Sequence, residues 1–208
     1  MFPTLLLIRH AETAYNEQGQ KRVKGAMDLP VHEGALARFE PYAKRLLAKY
    51  PLAAMAVSPL ERTRETAYVL HRLNREPVRA AIEQGLCPWN RGALQGRPIA
   101  DVKPELDRLV DEPDRVPYGG ESFNTFVGRF IPTLRRLLKQ AGACRERGAL
   151  GVVCHSGDQG VAMAWHDAGL VGQRLHQATL ANMHNHTRPG HALVWQHRGG
   201  RWMVEEFA

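Results

Sequence analysis

Histidine and arginine residues lie at or just beyond the ends of three apolar runs of the sequence. Arg9 and His10 close the first run, Arg62 follows the second, and His155 follows the third. Arginine grips phosphate oxygens with a planar fork that stays charged, and neutral imidazole can attack phosphorus to form a covalent intermediate. Two nearby guanidinium groups would disfavour further positive charge and so keep His10 neutral. The residue types therefore predict phosphoryl-transfer chemistry.

Strands and helices must alternate to bring these residues together. The hydrophobic pattern predicts strands over 5–9, 53–57, 78–82 and 149–154, helices over 34–50, 60–73, 99–110 and from 123 onwards, a helix around 161–165, and a closing hairpin of 192–197 and 202–207. Such alternation predicts a three-layer α/β fold, a mostly parallel sheet with helices on both faces. Ligands bind beyond the carboxyl ends of such strands, where the histidines and arginines fall.

Two prolines and a serine refine the helix predictions. Pro41 predicts a kink or a late start in the first long helix, and Pro132 predicts a kink in the helix that follows Ser122. Ser122 itself is placed as an N-cap. Residues 84–121 are rich in Gly and Pro and weakly periodic, which predicts a small cap over the site within one domain spanning residues 1–208.

Composition sets further bounds. The chain has 208 residues, a formal net charge of +7 and three cysteines without CxxC spacing, which favours a reducing compartment. No run suits a membrane span or a secretion signal, so the expected location is cytoplasmic. The positive charge favours anionic partners. A small phosphorylated substrate is expected, whereas a nucleic-acid partner is disfavoured because no RNA-binding aromatic pattern or zinc finger is present.

Five short segments extend these residues into longer motifs. They are residues 7–16 (LIRHAETAYN), 25–34 (with the spacing G-x-x-D-x-P to Gly34), 58–67 (SPLERTRETA), 119–122 (GGES) and 152–157 (VVCHSG). In this order, and across most of the chain, they resemble the phosphatase branch of the histidine phosphatase, or phosphoglycerate mutase-like, superfamily. Ala11 stands where the family has Gly. The resemblance implies a phosphomonoester hydrolase that needs no cofactor and no metal.

The resemblance also implies roles for individual residues. His10 would be the phosphorylated nucleophile, Arg9 and Arg62 would clamp the phosphate, and His155 would donate a hydrogen bond to the transferring group. Four further residues form the expected substrate-binding set: Asn16, Lys24, Glu121 and Ser122. Lys24 replaces the Gln of many members; a cationic contact at the mouth and a solvated surface lysine both fit the sequence.

One position departs from the family pattern. Most members place an acid four residues before a glycine, and here that position is Pro88, which cannot donate a proton. Three readings stay open. Another carboxylate serves, with Asp158 first and Glu83 or Glu121 next; or the enzyme dispenses with an acid and acts on good leaving groups; or the site binds phosphate without useful turnover. Asp158 could instead cap its helix.

Other functions and residues compete with this hypothesis. A phosphoglycerate-type mutase is the nearest enzyme alternative, and a phosphate-binding module or a nucleic-acid-binding surface would be non-enzymatic ones. His184, His186 and His191 have metal-ligand spacing in a loop poorly suited to hold a metal. Trp89 and Arg91 could touch substrate, or be a core residue and a solvent-facing one. Cys154 is expected to be a core residue. The natural substrate and the oligomeric state are not predicted.

Overall fold

A computed structural model describes residues 2–16, 21–168 and 187–208, and six strands form one sheet within them. The strands are β1 (Thr4–Arg9), β2 (Leu52–Val57), β3 (Ala80–Ile82), β4 (Ala149–Cys154), β5 (Ala192–Arg198) and β6 (Arg201–Glu206). Their order is β3-β2-β4-β1-β5-β6. The first four strands are mutually parallel. β5 runs antiparallel to β1, and β6 runs antiparallel to β5. The predicted α/β class is confirmed, with an antiparallel edge added to the parallel sheet.

Helices cover both faces of the sheet. They are α1 (Ala35–Lys49), α2 (Glu61–Leu73), α3 (Ile99–Asp111), α4 (Phe123–Cys144) and α5 (Ser156–Ala168). Successive β1 side chains point to opposite faces, because the side-chain period of a strand is two. Leu5 and Leu7 pack in the core that holds α4 and α5, whereas Leu6 and Ile8 pack in the core that holds α1 and α2. The two apolar layers hold β1, β2 and β4 in register, which aligns their carboxyl ends.

The helix bounds contradict the late start predicted from Pro41, whereas the kinks predicted at Pro41 and Pro132 stay predictions. α1 begins at Ala35, so the late start predicted from Pro41 is wrong. α4 runs without interruption from Phe123 to Cys144 through Pro132. Both prolines are exposed, and the apolar stripes of their helices are buried. Packing of those stripes outweighs the one backbone hydrogen bond that each proline removes.

The cap segment, defined as residues 84–121, contains α3 and two single turns of 3₁₀ helix, Gln84–Leu86 and Gly92–Leu94. Arg129 of α4 fastens it to the fold. Its guanidinium donates to the carbonyl oxygen of Pro88 at 3.1 Å and forms an ion pair of 2.6 Å with Glu121. The Glu121 carboxylate also accepts from the amide of Asn90 at 2.9 Å. The start and the end of the cap segment are thus tied to one side chain.

The remaining elements close the fold. Gly199 and Gly200 join β5 to β6 with φ values of 57° and 79°, as a type I′ hairpin turn requires. Cys87, Cys144 and Cys154 are free thiols. In the described part of the chain, the helices are all too short or too polar to cross a bilayer.

Ser122 caps α4 as predicted, and this cap gives a test of the fold. Its hydroxyl accepts from the amide of Thr125 at 3.1 Å. We expect Ser122→Ala to lower the free energy of unfolding by about 1 kcal/mol, because that amide loses its acceptor. Chemical denaturation measures the change. Ser122→Thr keeps the hydroxyl and should retain most of the stability, and an equal loss in both variants would contradict the capping role.

Candidate active site

The carboxyl ends of three neighbouring strands place the two histidines side by side. β4 lies between β2 and β1, and pairing continues one residue beyond the strands. The amide of His10 donates to Cys154 O at 3.0 Å, and the amide of Ser58 donates to Val153 O at 3.0 Å. The rings of His10 and His155 consequently lie 5.2 Å apart between centroids. The predicted meeting of these strand ends is observed.

His10 is held as a neutral base. Only 3% of its surface is exposed, and its Nδ1 lies 2.6 Å from Ala11 O. A carbonyl oxygen can only accept, so Nδ1 bears the proton and Nε2 keeps its lone pair. Burial lowers the pKa of His10 well below its usual value, and the positive charges of Arg62 and Arg9 lower it further. The guanidinium groups therefore act as predicted, but desolvation is the larger cause.

Arg62 lies in the first turn of α2 and is 1% exposed. Its Nη1 donates to Met27 O at 2.6 Å and its Nη2 donates to Gly25 O at 3.1 Å. Burial lowers its pKa to about 10, which leaves it charged at neutral pH. One face of the guanidinium thus anchors the loop after β1, while the charge stays beside His10.

Other polar residues of α2 join the strand ends. Thr63 donates to Ser58 O at 2.7 Å, and Thr66 accepts from the amide of Ala11 at 3.0 Å. Both threonines are fully buried. The hydrogen bonds of the 58–67 motif therefore connect the end of β2, the start of α2 and the residue after His10.

Arg9 is positioned by a part of the site that the sequence did not reveal. Its Nη1 donates to Thr187 O at 2.7 Å. The hydroxyl of Thr187 donates to Gln159, whose Nε2 donates in turn to Leu7 O at 2.8 Å. Gln159 and Thr187 are almost fully buried. The one sequence signal for this chain of hydrogen bonds is that a polar residue, Gln159, stands in the first turn of the helix after His155.

His155 begins the turn into α5. Its Nε2 lies 2.9 Å from Ser58 Oγ, and its amide donates to Asp158 Oδ2 at 2.9 Å. Burial lowers its pKa well below the usual value, with Arg62 adding to the effect. His155 is thus a second neutral imidazole next to His10.

Several buried donors around His10 have no hydrogen-bond partner among the described residues. They are Arg9 Nε, Arg62 Nε, Arg91 Nε and, when Ser58 donates to its Nε2, His155 Nδ1; one buried acceptor beside His155, Asp158 Oδ1, also has no partner. A buried polar group without a partner costs about 1–3 kcal/mol, and more when it is charged. Four such donors at one place indicate a site built to bind an anion.

A cavity of about 150 Å³ opens beside His10. Within the described ranges its lining is cationic, aromatic and small: His10, Arg22, Val23, Lys24, Gly25, Arg62, Pro88, Trp89, Arg91, Ile99, Phe123, Phe126, His155, Ser156 and Gly157. No aspartate or glutamate is in that set. The ring of Pro88 lines the cavity, so an apolar group occupies the position where the resemblance places an acid.

Two basic residues at the mouth were ambiguous from sequence. Lys24 lines the cavity, and burial together with Arg9 and Arg62 lowers its pKa to about 7. Arg91 also lines the cavity; its guanidinium stacks 4.8 Å from the Trp89 ring centroid, and burial lowers its pKa to about 10. Neither is a solvated surface residue. Trp89 is both a core and a cavity residue, since it packs edge-on against Phe123.

Six predicted site residues line no part of this cavity, and one of them is Arg9, whose Nη1 donates to Thr187 O. Asn16 accepts from the amide and hydroxyl of Thr13, and Ser122 caps α4. Asp158 is 0% exposed, and burial raises its pKa well above the usual value. Its carboxylate accepts from the amide of His155, at the start of α5, as a helix-capping side chain does. Glu121 and Glu83 pair with Arg129 and Arg136. The structure thus supplies structural contacts for each, and their roles toward a substrate stay predictions.

The histidine cluster lies largely outside the described residues. His184 and His186 fall within 169–186, while His191 stacks on Tyr42 and lies 3.6 Å from Glu206. Across the part of the chain that can be searched, no three His, Cys, Asp or Glu side chains come together as metal ligands.

Comparison with known proteins gives one family and many similar folds. The model of the family described as "Histidine phosphatase superfamily (branch 1)" matches residues 5–200. A mycobacterial glucosyl-3-phosphoglycerate phosphatase solved with VO3 is 21% identical, with a TM-score of 0.72 and 98% of each chain covered. The alpha-ribazole phosphatase of Shigella flexneri is 20% identical, with a TM-score of 0.72 and coverage of 98% of this chain and 95% of that one. No curated protein matched.

The unpartnered donors predict that inorganic phosphate stabilises the protein. At ten times its dissociation constant, a ligand adds about 1.4 kcal/mol, which raises the Tm of a chain of this length by roughly 3–6 °C. Differential scanning fluorimetry at constant ionic strength measures the shift. Arg62→Met should abolish the phosphate-induced shift, whereas Arg64→Met, exposed on the same helix, should retain it. A chloride-induced shift of equal size would contradict a phosphate site.

Proposed function

Because the chain belongs to the histidine phosphatase superfamily (branch 1), we propose that it hydrolyses phosphate monoesters through a phosphohistidine intermediate on His10. The substrate is a small phosphorylated molecule, since the cavity measures about 150 Å³. The solved structures named above are phosphatases, and they support this choice through the shared fold.

One observation carries the proposal: a neutral, buried imidazole lies among buried nitrogen atoms that have no hydrogen-bond partner in the described chain. Nδ1 of His10 is committed to Ala11 O, which leaves Nε2 as the nucleophilic atom. Arg9, Arg62 and His155 each keep a buried nitrogen without a partner. These donors suit the non-bridging oxygens of a phosphoryl group, whose charge must be neutralised during transfer.

The reaction then runs in two displacements. Nε2 of His10 attacks phosphorus as the ester P–O bond breaks, and the alcohol leaves with a proton. Water next attacks the phosphorus of the phosphoimidazole, the N–P bond breaks, and inorganic phosphate leaves while His10 returns to the neutral state; the proton that this water releases replaces the one taken up by the alcohol. Arg9 and Arg62 stay charged in both steps, so the site needs no reorganisation between them.

Charge neutralisation by guanidinium groups leads us to propose a metal-independent reaction. Arg9 and Arg62 can form bidentate contacts with phosphate oxygens. The amino end of α5 adds to the field, because Ser156 and Gly157 line the cavity at a helix N-terminus, which favours an anion.

A phosphate-binding module is the second candidate, and one observation favours it. Pro88 lines the cavity, and the described lining has no carboxylate to protonate a leaving group. Losing a general acid typically costs on the order of 10²–10⁴-fold in rate. If no other group replaces the acid, the site would still bind phosphate esters but would hydrolyse them too slowly to act as an enzyme.

Hydrolysis of p-nitrophenyl phosphate in the presence of a chelator separates these possibilities. We expect turnover by the wild-type protein, and a loss on the order of 10⁴-fold or more in His10→Ala, since the nucleophile is removed. His71→Ala, exposed at the end of α2, serves as the matched control and should be unaffected.

Other results would contradict the proposal in distinct ways. Activity that disappears with chelator would contradict metal independence. Wild-type protein that binds phosphate without turnover would favour the binding module. Isomerisation of a phosphoglycerate faster than phosphate release would favour a mutase.

A further inference from the structure

Hydrolysis of an alkyl phosphate needs a proton donor, and among the described residues no carboxylate lines the cavity. The departing alkoxide must be protonated as the P–O bond breaks. Glu83 and Glu121 are ion-paired with Arg136 and Arg129, and Asp158 is buried and accepts from the amide of His155. None of the three lines the cavity.

Lys24 is the remaining described group that lines the cavity and can release a proton. The arginines of the lining stay charged at neutral pH, because even the lowered pKa of Arg62 and of Arg91 is about 10, and a serine hydroxyl such as that of Ser156 is a far weaker acid. His10 and His155 are held neutral. The ammonium group of Lys24 therefore stands out by elimination among the lining residues.

The backbone around Lys24 is fixed on both sides. The amide of Val23 donates to Arg97 O at 3.0 Å, and Val23 O accepts from the amide of Gly96 at 2.7 Å. On the other side, Gly25 O accepts from Arg62 at 3.1 Å. Lys24 thus lies between a residue bound to the cap segment and one bound to the phosphate-clamping arginine. These contacts hold the backbone of Lys24 beside the cavity that this residue lines.

The surroundings of Lys24 bring its pKa near neutrality. The charges of Arg9, Arg62 and Glu12 act on Lys24. Other titratable or charged groups line the same cavity, from the end of β1, the cap segment, the turn after β4 and the loop that holds Lys24: His10, Arg22, Arg91 and His155. Burial lowers the pKa of Lys24 to about 7, Arg9 and Arg62 add to the effect, and Glu12 opposes it. A bound phosphate dianion adds negative charge nearby and favours the ammonium form.

We propose that Lys24 donates the proton that the leaving oxygen takes up when the ester bond breaks. The N–P bond to His10 forms as the P–O bond breaks, one proton passes from Nζ to the departing oxygen, and Lys24 is left as a neutral amine. In the second displacement this amine takes a proton from the attacking water and regains its charge. The inference rests on the proposed phosphatase function, and it makes alkyl phosphates, with their poor leaving groups, accessible substrates.

Two substitutions separate proton donation from simple charge. Lys24→Arg keeps the positive charge but cannot release a proton, and Lys24→Met removes both. We expect Lys24→Arg to lower kcat/KM for glycerol 2-phosphate by about 10²–10⁴-fold, and to lower kcat/KM for p-nitrophenyl phosphate less than tenfold, because nitrophenolate leaves without a proton. Lys24→Met should lower both. Lys21→Arg, exposed three residues away, is the control.

The pH profile is a second readout. Wild-type kcat/KM for glycerol 2-phosphate should fall as the pH rises through about 7, because the donor loses its proton there. In Lys24→Arg this alkaline fall should vanish. Persistence of the fall would overturn the proposal, because another group would then be the proton donor. Residues 17–20 and 169–186 together contain one carboxylate, that of Glu17.

The remaining outcomes also decide the question. Equal losses on both substrates in Lys24→Arg would assign Lys24 to phosphate binding and overturn proton donation. Wild-type protein that hydrolyses p-nitrophenyl phosphate but not glycerol 2-phosphate would overturn it too, while leaving the phosphohistidine mechanism intact. Absence of both activities would overturn the proposed function and this inference together.

Discussion

Positive charge confined around a neutral imidazole is the constraint on which the rest of this structure depends. Arg9, Arg62, Lys24 and Arg91 all lose hydration near His10, and the described cavity lining offers them no carboxylate. Burying charge is costly unless it is paired, and the carboxylates whose charge acts on these groups, Glu12, Asp28 and Asp158, lie outside that lining. The fold must therefore hold these groups in place with its own packing until an anion neutralises them.

The sheet and α2 provide that support. Two apolar layers fix β1, β2 and β4, so that their carboxyl ends present His10, Ser58 and His155 in a row. Carbonyl oxygens take part of the load, since Arg62 and Arg9 donate to Gly25, Met27 and Thr187. The same arrangement keeps His10 unprotonated, as the proposed nucleophilic role requires. Structural stability and the chemistry proposed here thus draw on the same contacts.

The sequence predicted what depends on local pattern and residue type. The strand ends that hold His10 and His155, the N-cap at Ser122 and the closing hairpin follow from periodicity and turn chemistry. The start of α1 did not, because buried packing outweighs the effect of Pro41. Long-range contacts were also beyond reach: no sequence pattern shows that Arg129 ties the cap segment to α4.

The same limit explains the uncertainty about the cavity lining. Whether Arg91 meets solvent or the cavity depends on how Trp89 packs against Phe123, thirty-four positions away in the chain. Whether Lys24 is an ordinary surface lysine depends on Arg9 and Arg62, which reach it only in the folded state. The residue types predict phosphate chemistry, whereas the fold determines which of these groups line the cavity.

Trapping the covalent intermediate tests the central claim most directly. Rapid acid-free quenching during turnover, followed by trypsin digestion and mass spectrometry, locates the phosphate, and the peptide spanning residues 10–21 contains a single histidine. Phosphorus NMR of the denatured phosphoprotein identifies the ring nitrogen. We predict phosphate on Nε2 of His10, absent from His10→Ala. Turnover without a phosphorylated intermediate, or phosphate on any other residue, would contradict the mechanism.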